Sequence, residues 1–203
     1  MSNLAPRPRE ELAEFEGFFQ TLESLAGYLP TAYLTLGHQP DFLRAMTEVS
    51  AALRKMNGVD PSLKVLMSHL SSSAVVCRFC EAHTAKTASS FGVSDEKLRA
   101  IWEFETSELF TEAERAALRL ALAMVQQPSA VDGSHFDALR QHFDDPQIAE
   151  MVITVSMFGF WNRWNDTMET DLEEPVYKFA SALLSERGWD GSRHYHGDSD
   201  AAP

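Results

Sequence analysis

Two cysteines stand three residues apart in this sequence, and a histidine follows them at the same interval. Cys77 and Cys80 are the only cysteines among 203 residues, and His83 comes three residues after Cys80. Residues three apart on a helix have Cβ atoms roughly 5–6 Å apart, so the two thiols are close to disulfide range. An imidazole one turn beyond Cys80 could take the thiol proton or stabilise the thiolate. The spacing therefore predicts a dithiol that cycles with a disulfide, with His83 as its base.

Other interpretations of this cluster stay open at the level of sequence. A structural zinc ion usually takes four ligands, often from two separated pairs, and the sequence has no second cysteine pair. Buried cysteines often serve only as small apolar side chains. His69 lies about two turns or more from the cluster if the helix continues upstream, which makes it a weaker candidate base. We expect redox chemistry that uses no metal and no cofactor.

Composition excludes several classes of partner. Seventeen basic residues face thirty acidic ones, a formal net charge of −13. Such a chain is repelled by phosphate backbones and by anionic membrane surfaces. Residues 1–8 contain no apolar leader stretch, and the longest apolar stretch, 151–161, is too short to span a bilayer. We therefore expect a cytoplasmic protein that binds neither nucleic acid nor membranes.

Helix signals dominate the chain, and strand signals are weak. Apolar residues three and four apart predict a helix over residues 10–26. Asp60 and Pro61 are typical of a helix start. The serines at 71–73 predict a kink or break, with helix resuming by Cys77. The sequence predicts an all-α protein of about eight helices.

The chain divides into three expected segments. Residues 1–39 form an N-terminal arm and helix, residues 40–184 form the helical core, and residues 185–203 form a flexible tail. The tail contains two histidines, His194 and His196, for which a loose conformation is expected rather than metal binding. Three phenylalanines on the N-terminal arm suggest that it is swapped or docked between subunits, so we expect a homo-oligomer; they are Phe15, Phe18 and Phe19.

Three segments together resemble the carboxymuconolactone decarboxylase / AhpD-like alkylhydroperoxidase superfamily, over about residues 40–180. They are Cys77-Arg78-Phe79-Cys80-Glu81-Ala82-His83-Thr84, Gly92-Val93-Ser94-Asp95-Glu96-Lys97-Leu98 and Phe158-Gly159-Phe160-Trp161-Asn162-Arg163-Trp164-Asn165-Asp166. The resemblance implies a compact AhpD-like helical fold, usually assembled as trimers or hexamers. It also implies that Cys80 attacks a peroxide to give a sulfenic acid, that Cys77 resolves it as a disulfide, and that His83 relays protons.

The sequence departs from the family pattern at two positions. Many members carry the histidine four residues after the second cysteine, where this chain has Thr84. The family glutamate, twelve residues before the first cysteine, falls at Val65, which cannot carry a proton. We expect Glu81 to be a solvated surface charge, although it is also one of four candidates for the missing relay. Those candidates are His69, Glu81, Glu103 and Glu105.

The resemblance favours a thiol-dependent peroxidase that reduces hydrogen peroxide or small organic hydroperoxides. Its partners would be the peroxide and an unidentified protein or small-molecule thiol as reductant. One alternative is a cofactor-free lactone decarboxylase, whose chemistry does not require the cysteines. Another is a non-catalytic redox-sensing or metal-binding module, which would turn peroxide over slowly with any reductant.

Overall fold

The computed structural model describes residues 2–196, and this part of the chain is all-α, as predicted. It is 69% helical, has no strands, and eight of its ten α-helices have seven residues or more. None of these helices is long and apolar enough to cross a membrane. The helices are α1 (Glu16–Ala26), α2 (Thr31–Leu36), α3 (Pro40–Lys55), α4 (Pro61–Ala74), α5 (Arg78–Ser90), α6 (Asp95–Arg99), α7 (Glu112–Val125), α8 (Gly133–Leu139), α9 (Asp145–Met168) and α10 (Glu174–Leu184).

Helix α4 lies at the centre of the main core and packs against α5, α7 and α9. Leu66, Met67 and Leu70 on α4 are completely buried. Burial of such side chains is the main source of stability in a helical domain, at about 1.5–3 kcal/mol each. The helix starts where the sequence predicts, because the Asp60 carboxylate accepts the Ser62 N–H at 2.8 Å. The element that carries the cysteines is therefore attached to the most buried helix of the fold.

The N-terminal arm packs on its own chain. In place of one helix over residues 10–26, a 3₁₀ helix (Arg9–Phe15) precedes α1. Phe15 and Phe19 are buried in a second core formed with α3 and with the aromatic end of α9. The sequence signal taken for an inter-subunit arm thus has an intramolecular explanation. Assembly into oligomers stays a prediction.

The break between α4 and α5 comes later than predicted. The three serines are helical and buried, and α4 ends only at Ala74. Val76 then adopts φ 60°, a left-handed conformation that a β-branched side chain rarely takes. Cys77 is extended and becomes the residue that caps α5. The two cysteines therefore do not share one continuous helix: Cys77 precedes α5, and Cys80 lies in its first turn.

The predicted loose tail is wrong as far as His196. The Trp189 indole is buried and donates to the Arg78 carbonyl at 3.1 Å. His194 is buried as well, and its carbonyl accepts the Leu172 N–H. Residues 197–203 lie outside the described part of the chain. The segment after α10 therefore closes over the start of α5, beside the cysteines.

The left-handed turn at Val76 allows a direct test. We expect Val76→Gly to raise the free energy of unfolding by about 1 kcal/mol, because glycine adopts this conformation without strain. Val75 is also exposed but has φ −94°. Val75→Gly should therefore lower the free energy of unfolding by about 0.5–1 kcal/mol. Urea denaturation of the two variants measures both values. Equal effects at the two positions would show that the turn stores no strain.

Candidate active site

The two thiols meet at the N-terminus of α5. Cys77 and Cys80 are free and buried. The Cys77 Sγ accepts the Cys80 backbone N–H at 3.4 Å, which is the capping contact of the helix. Because a helix N-terminus stabilises negative charge, this position suits sulfur chemistry that passes through thiolates. The first turn of the helix thus keeps the two cysteines close to each other, as a disulfide between them requires.

Cys80 lies in the wall of a small cavity. The cavity has a volume of about 120 Å³ and is lined mainly by aromatic rings. Cys80, His83 and Asn165 are among the groups in its wall that can exchange protons or hydrogen bonds with a bound molecule. A space of this size admits a molecule of a few non-hydrogen atoms. The remaining lining residues are Pro30, Ala32, Tyr33, Phe79, Phe158 and Trp161.

The His83 ring is held by four contacts from three neighbouring residues. Its Nε2 lies 2.8 Å from Glu173 Oε2, and its Nδ1 lies 2.9 Å from the Phe79 carbonyl oxygen. The ring stacks on Phe79 with centroids 4.2 Å apart and meets the edge of Tyr28 at 5.6 Å. A carboxylate and a carbonyl both accept, so a ring nitrogen that carries a proton donates to the oxygen it faces. The ring is therefore held in one orientation beside the cavity.

Glu173 supplies the carboxylate that the sequence lacks at Val65. It lies 90 positions beyond His83, at the start of α10, and its other oxygen accepts the Thr31 N–H at 2.6 Å. Burial raises the pKa of Glu173, but the charge and hydrogen bond of His83 outweigh burial and hold the pKa below its usual value. The only signal in the sequence was an acidic residue just before Glu174-Pro175, which predicts a helix start and nothing about its partner.

The four residues considered for the relay do not approach His83. His69 is fully buried, lies 3.1 Å from Thr84 Oγ1, and has its pKa lowered by burial. Glu81, expected to be a solvated surface charge, is instead buried and takes hydrogen bonds from Arg78 and Ser73. The other two are exposed and form ion pairs elsewhere: Glu103 with Arg187 and Glu105 with Arg119.

The environment of Cys80 disfavours its thiolate in the resting protein. Burial raises the pKa of Cys80 well above its ordinary value of 9.0, and a hydrogen bond and negative charge from Cys77 raise it further. Asn165 Nδ2 donates to the Cys80 Sγ at 3.5 Å and lowers the pKa in part. Sequence reasoning did not single out Asn165, because nothing in the spacing shows that α9 faces Cys80. Activation of Cys80 thus depends on its neighbours.

A metal has no evident place near these groups. Among residues 2–196, no three His, Cys, Asp or Glu side chains gather so as to hold a metal ion. His194 Nδ1 donates to the Thr170 carbonyl at 2.9 Å, whereas His196 Nδ1 lies 3.0 Å from Asp171 Oδ1. The two tail histidines therefore have separate protein partners.

Comparisons with known proteins give a family match over the segment that contains the cysteines and solved structures that share the fold. The carboxymuconolactone decarboxylase family matches residues 40–123. The debrominase Bmp8, whose C82A variant was solved in complex with 2,3,4-tribromopyrrole, is 30% identical, with 90% of this chain and 98% of that chain covered and a TM-score of 0.82. An uncharacterised peroxidase-related protein from Ralstonia eutropha JMP134, with an alkylhydroperoxidase AhpD core, shares the fold at 22% identity and a TM-score of 0.73, covering 81% of this chain and 88% of that chain.

A curated relative of unassigned function also matches. YnjA of Escherichia coli (strain K12) is 29% identical over 116 residues, which is 57% of this chain. The match spans 64% of YnjA, just under two thirds of its length.

The His83–Glu173 pair predicts a pH-dependent contribution to stability. The pKa of the Glu173 carboxyl is lower in the folded chain than its ordinary value, about 4.5. Such a carboxyl stabilises the folded chain at pH values above its ordinary pKa. This stabilisation is lost as the pH drops through the lower pKa of the folded state. We expect Glu173→Gln to lower the free energy of unfolding by about 1–3 kcal/mol at pH 7. The difference from the unmodified protein should shrink below pH 4.5.

The neighbouring Glu174→Gln is a matched control, because Glu174 is exposed and its ion pair with Lys178 lies at the surface. It should change the free energy of unfolding by less than about 0.5 kcal/mol. Denaturant unfolding at several pH values compares the two. A Glu173→Gln effect that is constant across pH would contradict an ion-pair origin.

Proposed function

The chain belongs to the carboxymuconolactone decarboxylase family, and on this premise we propose that it is a dithiol oxidoreductase that reduces small hydroperoxides. One observation carries the proposal. Cys80 and His83 lie in the wall of one cavity. Cys77 is not among the residues of this wall, and its Sγ accepts the Cys80 backbone N–H. A substrate in the cavity thus meets one thiol, while the second thiol can reach the product on the first.

The proposed reaction has two steps. The Cys80 thiolate attacks one peroxide oxygen, the O–O bond breaks, and the leaving alkoxide takes a proton to give an alcohol. Cys80 is now a sulfenic acid. Cys77 then attacks the Cys80 sulfur, and the sulfenic oxygen leaves with a proton as water. One dithiol and one hydroperoxide thus give one disulfide, one alcohol and one water.

His83 acts as a positioned charge in this scheme. Its ring nitrogens face Glu173 and the Phe79 carbonyl, so we propose that it acts on Cys80 through the positive charge of its protonated form at the cavity wall. That charge stabilises the thiolate that forms as the thiol proton leaves. Transfer of a ring proton to the leaving oxygen requires rotation of the ring or a bridging water molecule.

A thiol reductant must then return the disulfide to the dithiol. We propose a small thiol or a protein dithiol for this role, because thiol–disulfide exchange needs a thiolate that attacks one of the two sulfurs. A cytoplasmic location and an assembly of several copies also remain part of the proposal.

Reductive debromination is a second candidate, favoured by the 30% identity to a debrominase that is covered almost completely. The cavity has aromatic walls, which suit a small planar ring. The electrons balance in the same way: a carbon–bromine bond and two thiols give a carbon–hydrogen bond, hydrogen bromide and a disulfide. Peroxidase and debrominase activities thus share the dithiol and differ in the oxidant.

Mass spectrometry of the reduced protein tests these schemes. One equivalent of hydrogen peroxide should remove two hydrogen atoms from the unmodified chain. The same treatment should add one oxygen atom to Cys77→Ser and leave Cys80→Ser unchanged, because only Cys80 faces the cavity. Incubation with 2,3,4-tribromopyrrole, with bromide release as readout, tests the second oxidant.

The alternatives make different predictions in the same assays. If both thiols stay titratable after excess peroxide, and bromide is not released, the dithiol mechanism is wrong. A lactone decarboxylase would keep its activity in the variant with both cysteines changed to serine. A redox sensor would form the disulfide once but show no turnover with added thiol reductants.

The neighbours of Cys80 predict how its reactivity depends on pH. Because Cys77 and burial raise its pKa, alkylation of Cys80 by iodoacetamide should still be increasing at pH 9.0 in the unmodified protein. Cys77→Ser removes one cause of the raised pKa and should shift the profile to lower pH. Asn165→Leu removes the stabilising hydrogen bond and should shift it to higher pH. Three superimposable profiles would contradict this account.

A further inference from the structure

A second, larger cavity adjoins the one that contains Cys80. It has a volume of about 510 Å³ and is mostly apolar. Phe158 lies in the walls of both spaces. We call the larger space the tail chamber, a name that refers to the tail of a bound molecule and not to residues 185–203. Among its lining residues are Leu25, Leu53, Val65, Phe91, Met157 and Phe158.

Helices α5 and α9 run along both spaces. On α5, Cys80 belongs to the small cavity and Thr87 to the tail chamber; on α9, Asn165 belongs to the cavity and Met157 to the chamber. Seven residues of helix span about 10 Å. The two spaces therefore lie about 10 Å apart along these helices.

Val65 makes the wall of the tail chamber apolar. The carboxylate beside His83 comes from Glu173, so position 65 is not needed for that contact. An ionised side chain at position 65 would disfavour apolar ligands in the chamber. Val65 therefore keeps this wall suited to apolar ligands.

One cation at the chamber is available to a ligand. The chamber is lined by two charged residues, Lys64 and Arg54. Lys64 forms an ion pair with Glu150. Arg54 is exposed and, within residues 2–196, makes no hydrogen bond or ion pair. An unpaired guanidinium beside an apolar space is complementary to a carboxylate on an apolar chain.

We propose that the tail chamber binds the apolar chain of a substrate that carries a carboxylate, and that Arg54 binds this carboxylate. The inference rests on the proposed function, because it places the reactive group of the same molecule at Cys80. Phe158 then determines how the chain passes from one space to the other. The substrate class becomes an amphipathic organic acid with a hydroperoxide group, which is reduced to the corresponding alcohol by the dithiol.

Calorimetric titration of the reduced protein with straight-chain carboxylates tests binding without turnover. Affinity should rise about fourfold for each added methylene from hexanoate to decanoate, because each buried methylene adds a constant increment. Arg54→Gln should weaken decanoate binding at least about threefold and leave decanol binding unchanged. Arg99→Gln, at a cation outside the chamber, is the matched control and should leave both unchanged.

Two further measurements complete the test. Val65→Glu should weaken decanoate binding more than about tenfold; the Arg54 variant keeps the test valid if this one fails to fold. In steady-state assays with decanoic acid that carries a hydroperoxide group on its chain, Arg54→Gln should lower kcat/KM at least about threefold more than it lowers kcat/KM for hydrogen peroxide. Arg99→Gln should leave both values unchanged.

Separate outcomes identify separate failures. If hydrogen peroxide forms the disulfide but decanoate does not bind, the tail chamber is wrong and the proposed function stands. If decanoate binds as expected but no peroxide oxidises the thiols, the proposed function fails and the binding site stands. If decanoate does not bind and Val65→Glu instead dissociates an oligomer, the chamber is an interface with a second copy and the inference is overturned.

Discussion

The interruption between α4 and α5 is the constraint on which the site depends. Val76 in a left-handed conformation lets the chain leave the buried α4 and begin α5 within three residues. This short connection lets α5 pack against α4 and makes Cys77 the cap of the new helix. With an unbroken helix, both thiols would be ordinary side chains on a helix face. The break instead places one sulfur at the helix end and the other in its first turn.

A second constraint joins distant parts of the chain at His83. Glu173 receives the Thr31 N–H on one carboxylate oxygen and lies beside His83 on the other. The carboxylate therefore fixes the starts of α2 and α10 relative to α5, and it determines the charge beside the cavity. This placement explains how a chain with valine at position 65 can still pair its histidine with a carboxylate.

The helices, their caps and the pair of cysteines could be predicted from the sequence, because these features depend on residues a few positions apart. The capping contact at Asp60 is an example. The partners of His83 could not be predicted from the sequence, because Glu173 is 90 positions away and only tertiary packing brings it near. The same holds for Glu81, expected at the surface but buried through hydrogen bonds with Arg78 and Ser73, and for His194, whose burial depends on the closure of the last segment over α5.

Burial of the dithiol has a consequence for selectivity. A thiol that is kept protonated by its surroundings reacts slowly with reagents that approach from solvent, because the thiolate is the nucleophile. Within the cavity, the imidazole of His83 and the amide of Asn165 lie in the same wall as the sulfur, and in a low-dielectric space hydrogen-bond donors stabilise developing negative charge more strongly than water-exposed groups do. The proposed reaction is therefore favoured for a molecule that fills the space beside Cys80 and excludes water from it. Under the proposed function, the shape of the cavity and of the chamber next to Phe158, rather than the intrinsic reactivity of the thiol, decides which oxidant is reduced.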